Sequence, residues 1–171
     1  TLNDVNIVFD TDTDVYYKGK YMPSKINEGY GLGELDLEFK CLPYRYNKTV
    51  TVETDIDNVS KTNLNSWYID GGILNFTLDS SYTELLIQLD GTTAQIALAL
   101  ADEETDLSGV WEIDLKNRTI KKGGVLSDLN ADFDNTNFEQ FKNAIAAGAS
   151  YKFIFTPSVS GATFTYTGVN L

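Results

Sequence analysis

The sequence has no histidine, a single cysteine, three prolines and one methionine among its 171 residues. Without histidine, the Ser–His–Asp and Cys–His catalytic arrangements and all histidine metal sites are excluded. The lone cysteine cannot form an internal disulfide. No run of 18 apolar residues is present, so the sequence predicts no transmembrane helix. We therefore expect a protein that is not an enzyme and that needs no cofactor or metal.

Positive charge is also scarce, because 13 Lys and Arg residues stand against 25 Asp and Glu, for a net charge of −12. Nucleic-acid affinity comes largely from cationic side chains on phosphates, so specific nucleic-acid binding is not expected. Anionic membrane surfaces are disfavoured for the same reason. Basic partners, neutral glycans and other protein subunits remain as binding partners.

Aromatic residues are abundant, with ten Tyr, nine Phe and two Trp, and this composition favours strands. In the first part of the chain, residues 2–9, 15–22 and 35–41 alternate between apolar and polar side chains and predict strands. The third of these places Cys41 on its apolar side, so we expect a buried free thiol. Pro43 lacks a backbone N–H and is predicted to end that strand.

From about residue 50, the sequence predicts a series of short strands separated by turns. The predicted strands are 66–70, 73–78, 84–89, 94–101, 110–115, 119–121, 151–155 and 163–169. Gly71, Gly91 and the Asn117-Arg118 pair supply turn chemistry. Phe138, Phe141 and Ile145 recur at helical spacing, which predicts one short helix near 137–147. The pattern indicates an all-β fold, an antiparallel β-sandwich of galectin-like or jelly-roll-like type, with a domain boundary near residues 44–50.

Several motifs have both a functional and a plain interpretation. Asp10, Asp12 and Asp14 open like a calcium loop, but Val15 and Tyr21 stand where an EF-hand needs Gly and Glu, so a solvated acidic loop is the simpler interpretation. The acidic runs 53–57 and 102–106 indicate charged loops. The glycines of residues 29–33 indicate a flexible turn, because no Lys-Ser/Thr follows them.

Three aromatic residues of the second half are the candidate ligand or partner contacts, namely Trp67, Tyr68 and Trp111. Aromatic rings that stack on sugar faces would make a glycan-binding surface. Packing into the core is the plain alternative for the same residues.

Residues 35–46 carry a resemblance to a known family. The segment Leu-Asp-Leu-Glu-Phe-Lys-Cys-Leu-Pro-Tyr-Arg-Tyr resembles the segment that closes the N-terminal domain of siphophage distal tail proteins. Its Phe-x-Cys-x-Pro-aromatic signature is Phe39, Cys41, Pro43 and Tyr44 here. Residues 15–21 resemble the family's preceding strand. Residues 112–120, 149–155 and 164–167 resemble the closing strands of its galectin-like domain.

The resemblance implies a structural virion protein, a component of the tail-tip or baseplate hub that joins the tail tube to the host-adsorption apparatus. It implies a homohexameric ring, assembled in the bacterial host cytoplasm, with the tail tube protein, a tail-associated hub protein and receptor-binding proteins as partners. Residues 1–48 would end the ring-forming domain, and 49–171 would form the galectin-like domain.

The family's N-terminal domain begins well upstream of the matching motif, so we expect the C-terminal part of such a protein or a shortened relative. A negatively charged channel would let DNA pass without sticking. A carbohydrate-binding β-sandwich module is the alternative function, and a tail tube or other virion protein is a second structural alternative.

Overall fold

The structure is a computed structural model that describes residues 4–22, 26–27, 34–35, 38–62, 68–69, 71–99, 106–127, 145 and 150–170. The described residues form strands, turns and loops, and their strand ladders are antiparallel, which confirms the all-β antiparallel prediction. The chain divides into two compact units, Thr1–Thr49 with Val169–Leu171, and Val50–Gly168. None of the described residues forms a helix with the length and hydropathy needed to span a membrane.

The first unit is built on three antiparallel strands in the order β1-β2-β5. The strands are β1 (Asp4–Phe9), β2 (Asp12–Met22) and β5 (Glu38–Thr54), and the short pair β3 (Ile26–Asn27) and β4 (Glu34–Leu35) lies between them in sequence. A two-residue turn joins β1 to β2. Asp12 and Asp14 therefore belong to a strand, and the acidic loop predicted over residues 10–14 is shorter than expected.

Pro43 does not end its strand, and this prediction is wrong. The register pairs Gly19 with Cys41 and Tyr17 with Arg45, so three residues of β5 face the single Lys18 of β2. This irregularity is a β-bulge, where the bulged residues leave the ladder. Proline is tolerated at such a position because no ladder hydrogen bond needs its missing N–H.

The second unit contains eleven described strands, of which the last ends in the first unit. They are β6 (Lys61–Thr62), β7 (Tyr68–Ile69), β8 (Ile73–Leu78), β9 (Glu84–Leu89), β10 (Gln95–Ala99), β11 (Gly109–Asp114), β12 (Thr119–Lys122), β13 (Val125–Leu126), β14 (Ser150–Tyr151), β15 (Phe153–Thr156) and β16 (Ser160–Asn170). One sheet has the order β16-β8-β11-β12-β13, and another has the order β10-β9-β15. The predicted strands 73–78 and 84–89 are confirmed without a change of boundary.

The core of the second unit consists of the inward side chains of these two sheets. Alternate residues of β8 and β9 are fully buried while their neighbours are half-buried, as a sandwich requires. Phe76 of the first sheet contacts Phe155 of the second at 5.3 Å between ring centroids. The ring centroid of Phe164 lies 5.1 Å from that of Phe153. The buried side chains form one continuous apolar cluster.

The predicted turns are present at the positions that need left-handed backbone. Gly71 and Gly91 have φ of 80° and 73°, and Arg118 has φ of 56° in the turn between β11 and β12. Asp114 stabilises that turn by accepting hydrogen bonds from the backbone N–H groups of Lys116 and Asn117, both at 2.9 Å. The helix predicted near 137–147 lies outside the described residues except for Ile145, which is buried.

Candidate functional site

One face of the first unit carries apolar side chains that its own strands leave exposed. Phe9 is 50% exposed and Phe39 is 39% exposed. Phe9 and the half-buried Tyr17 make an edge-to-face ring contact at 5.5 Å. Tyr17, Gly19, Phe39 and Cys41 share this side of the sheet, because paired residues and residues two apart face the same way. We call Phe9, Tyr17, Phe39 and Cys41 the apolar face.

Cys41 is exposed on this face, so the prediction of a buried thiol is wrong. The alternation of β5 was interpreted correctly as one apolar side, but the described residues leave Cys41 on that side exposed. Gly19, opposite Cys41, is itself buried, and an added Cβ would lie 2.7 Å from the carbonyl oxygen of Lys40 and 3.1 Å from the Cys41 sulfur. Glycine therefore lets β2 and β5 approach closely beneath the thiol.

The opposite face of the same sheet is polar and packed. Tyr16 stacks on Tyr46 at 5.3 Å between centroids, and Lys18 Nζ lies 4.0 Å from the centre of the Tyr46 ring. Tyr46 is only 4% exposed. Asn47, which is paired with Val15 and so lies on the side of Tyr17, accepts a 3.0 Å hydrogen bond from the side-chain amide of Asn170. Phe9, Phe39 and Cys41 are exposed on the apolar face, which makes this face the candidate partner surface of the first unit.

In the second unit, the connections after β8 and before β11 meet at one end of the sandwich. Asp106 joins them, since its carboxylate accepts hydrogen bonds from the hydroxyls of Ser81, at 2.7 Å, and Ser108. The backbone N–H of Leu107 donates to the carbonyl of Tyr82 at 2.8 Å. The Ser108 and Ser81 hydrogen bonds and the nearby Lys122 lower the pKa of Asp106 to about 2. The carboxylate is thus charged at all ordinary pH values.

Exposed apolar side chains lie at this same end, on both sides of the sheet. Tyr82 is 40% exposed and Val110 is 57% exposed. The N–H of Gly123 donates to the Val110 carbonyl at 2.9 Å, which brings the β12–β13 turn beside Val110. Val125, just after that turn, is 71% exposed. We call the region of residues 79–84, 106–110 and 123–126 the loop end.

Of the three aromatic candidates, Trp111 lies in the core. Its side chain is 1% exposed, and its indole N–H donates to the Leu107 carbonyl at 2.7 Å. The outward residues of β11 are its neighbours Val110 and Glu112, so Trp111 presents no ring face to a sugar. Tyr68 lies in β7, and the Trp67 and Tyr68 side chains are outside the described part of the chain.

The acidic run of residues 53–57 has structural roles in the second unit. Glu53 pairs with Lys61 at 3.8 Å. Asp57 accepts hydrogen bonds from the backbone N–H groups of Phe155 and Val159, both at 3.2 Å, and from the Ser158 hydroxyl. Within the described ranges, no group of three or more Cys, Asp or Glu side chains is placed to hold a metal ion. The glycines of residues 29–33 lie outside the described residues.

Sequence reasoning missed both surfaces. The signal for the loop end was the position of Val110 on the outward side of β11, whose inward residues are Trp111 and Ile113. For the apolar face, the alternation of residues 35–41 showed one apolar side of the strand but did not show whether other residues cover it. Neither signal is specific without the sheet register.

The fold is similar to that of a phage distal tail protein. In particular, the chain is similar to the Dit protein (gp 19.1) of SPP1, described as a paradigm of the hub adsorption apparatus in phages that infect Gram-positive bacteria. The TM-score is 0.71 with 18% sequence identity, over 99% of this chain and 66% of that chain. The resemblance of residues 35–46 to distal tail proteins is thus confirmed at the level of the fold. No family model and no curated protein matches the sequence.

Proposed function

We propose that this chain is a structural component of a phage tail-tip hub that joins the tail tube to the host-adsorption apparatus. The observation that carries the proposal is the fold shared over 99% of the chain with a hub adsorption protein. Its work is done by protein–protein contacts, and it belongs to the virion, in the tail. The tail tube protein, a tail-associated hub protein and receptor-binding proteins are its expected partners.

Within this proposal, the first unit is the assembly unit, and six copies form a ring. A three-stranded sheet with one exposed apolar side is marginally stable alone and gains stability when another surface covers that side. The apolar face supplies aromatic side chains of the kind that interfaces use, since Phe9 and Tyr17 make a ring contact at 5.5 Å and Phe39 is exposed on the same side, opposite Tyr21 and farther along the sheet. A second copy of this chain is the proposed cover.

The second unit is proposed to be a galectin-like domain that projects outward from the ring. Its support is its own continuous core, which packs Phe76, Phe153 and Phe164 between two sheets without any partner. A domain that completes its core alone is suited to presenting its loops and outer faces to other proteins.

Light-scattering mass and negative-stain images of the purified chain test the ring. The expected mass is six times the 19.0 kDa of one chain, and the expected images are six-fold rings with outward lobes. A stable monomer at all concentrations would contradict ring formation by this chain.

Substitution of Phe39 tests which surface makes the ring. Phe39→Ser should shift the assembly toward monomer by roughly 30-fold or more in association constant, because truncated interface aromatics often cost about 2 kcal/mol. Val52→Ser, at an exposed strand position of the second unit, is the control and should leave the mass unchanged. Equal effects of the two substitutions would remove the apolar face from the interface.

A further inference from the structure

Strand β13 is the last strand of the larger sheet of the second unit, and no described strand pairs with its outer side. The register places Leu126 opposite Lys121. The next residue, Ser127, donates a 2.9 Å hydrogen bond from its backbone N–H to the Ile120 carbonyl. Hydrogen-bonded and non-hydrogen-bonded pairs alternate along an antiparallel ladder. The backbone N–H and C=O of Leu126 therefore point away from β12, toward the open edge.

The two side chains of β13 are exposed on opposite faces of the sheet. Val125 is 71% exposed and Leu126 is 58% exposed, and among the described residues these are the largest exposed fractions of any large hydrophobic side chain. The strand pairing places Val125 on the side of Trp111 and Leu126 on the side of Glu112. An apolar side chain thus stands in solvent on each face of the edge strand.

The residues of β13 do not protect it against pairing with another strand. Charged side chains, proline and bulges protect the edges of many sheets, but β13 consists of Val125 and Leu126. It follows Gly123 and Gly124, which have φ of 57° and 81°. A Cβ added at either glycine would meet no atom within 4 Å. The space beside the turn that leads into β13 is therefore open.

The two lysines beside β13 are engaged with acidic residues. Lys121, opposite Leu126, pairs with Glu112 at 2.6 Å. Lys122 donates to the backbone carbonyl of Asp106 at 2.5 Å and lies 4.0 Å from its carboxylate. The edge itself is thus uncharged, although its unit has 17 Asp and Glu against 7 Lys and Arg, a net charge of −10. Two such units repel each other, so the edge fits an uncharged segment of a different protein better than a second copy.

The outer strand of the smaller sheet, β10, is a different kind of edge. The N–H of Leu89 donates to the Ala94 carbonyl at 3.1 Å, so by the same alternation the backbone groups of Ala97 point outward. The large apolar side chains of β10, Ile96 and Leu98, are buried in the core. A strand added beside β10 would therefore cover no exposed large apolar side chain of that strand, whereas one added beside β13 would cover two.

We propose that the edge of β13 accepts an extended, uncharged segment of a partner protein as an additional strand. The backbone N–H and C=O of Leu126 bond the segment, and Val125 and Leu126 contact its apolar side chains, one on each face of the sheet. The inference rests on the proposed function for its setting, since the segment belongs to another protein of the tail hub. It does not require that this chain forms a ring.

The test uses the full chain and a synthetic peptide with blocked ends, Ser-Thr-Val-Ile-Thr-Ser. Amide hydrogen exchange, followed by NMR, should slow roughly tenfold or more at Leu126 when the peptide is added, because its N–H becomes hydrogen-bonded. The N–H of Ala97 should exchange at an unchanged rate. Failure of the peptide to bind, or equal slowing at the two edges, would overturn the proposal. Slowing at Leu126 that grows with the concentration of the chain alone would identify a second copy as the occupant and would also overturn it.

Two substitutions separate backbone pairing from side-chain contact. Leu126→Ser keeps the outward N–H and should weaken peptide binding roughly tenfold through lost apolar contact. Leu126→Pro also removes that N–H, which makes no bond to β12, and should abolish detectable binding while the fold is kept. If the proline variant bound the peptide as tightly as the serine variant, strand addition would be excluded.

Two matched variants serve as controls. Ala97→Pro removes the outward N–H at the edge of β10, and Val110→Ser removes a valine of β11 that is 57% exposed but does not lie on an edge strand. Each should change the affinity by less than about twofold, as expected for a distant site. The light-scattering mass is measured on the same samples. Protection of Leu126 by the peptide in a monomeric chain would support this inference while contradicting the proposed ring.

Discussion

The two units of this chain bury their apolar residues very differently. Among the described residues, all of the buried hydrophobic side chains except Tyr46 and Val169 belong to the second unit. The first unit instead leaves Phe9 and Phe39 in solvent. The second unit thus has a continuous core of its own, whereas the first leaves large apolar side chains exposed. The comparison shows that aromatic content alone does not indicate where the stability of a chain lies.

The units differ in charge as well. The first has 6 Lys and Arg against 8 Asp and Glu, for a net charge of −2, and the second has 7 against 17, for −10. A channel lined by the first unit would therefore be only weakly negative. The net charge of −12 therefore gives little support to a channel that keeps DNA from sticking. The acidic charge belongs to the unit proposed to meet other proteins.

The largest expected difference between the units is in how far the replacement of one phenylalanine by alanine lowers the free energy of unfolding. Phe164 is fully buried between Phe153 and Tyr166, each 5.1 Å away by ring centroid. Phe164→Ala should lower the free energy of unfolding by about 3–5 kcal/mol, through lost burial and the cavity left behind. Phe39→Ala, measured on monomer at low concentration, should cost about 1 kcal/mol or less. Urea unfolding measures both, and similar costs would contradict the contrast.

A smaller effect is expected from the hydrogen bonds that hold the second unit's loops. Asp57→Ala removes the acceptor of Phe155, Val159 and Ser158 and should cost about 2–3 kcal/mol, as charged acceptors do. Asp55→Asn changes an exposed neighbour that keeps its left-handed backbone and should cost less than about 0.5 kcal/mol. Thermal unfolding of the two variants compares them directly. If neither substitution changed the thermal unfolding midpoint, the hydrogen bonds of Asp57 would not contribute to stability.

The smallest expected effect is the loss of stability at low pH when Asp106 becomes protonated. The pKa of Asp106 is lowered from 3.8 to about 2, chiefly by the Ser108 hydroxyl. Because the folded pKa is below the unfolded one, the stabilisation is complete above about pH 4 and is lost as the pH falls toward 2. A carboxyl carbon titration by NMR should give a midpoint near 2, moving back toward 3.8 in Ser108→Ala. A wild-type midpoint near 3.8 would mean that the Asp106 network does not persist in solution.

Prediction from the sequence succeeded for strands that are buried between the two sheets of the second unit. The alternation of β8 and β9 predicted their boundaries, because burial between two sheets enforces a period of two. The same reasoning failed for Cys41, since alternation shows that a side is apolar but not whether the chain itself covers it. The prediction that Pro43 ends its strand failed for a different reason. A bulge depends on the register between two strands, which one sequence does not display.

The candidate contact residues were even harder to predict from the sequence than the fold. Trp111 was a candidate for ligand contact because tryptophan serves both cores and binding surfaces. Its burial follows from which side of β11 faces the second sheet, and that side is fixed by long-range pairing with β8. Val110, its outward neighbour, is an ordinary strand valine in the sequence, and only the strand pairing shows that its side chain is exposed.

The central claim is that a second copy covers the apolar face, and the single cysteine of the chain reports on it directly. The rate at which a maleimide labels Cys41 should be measured across a dilution series together with the light-scattering mass. Labelling should be fast in dilute monomer, where the thiol is exposed, and at least tenfold slower once the assembly forms. A labelling rate that stays constant while the mass rises would show that the chain assembles through another surface.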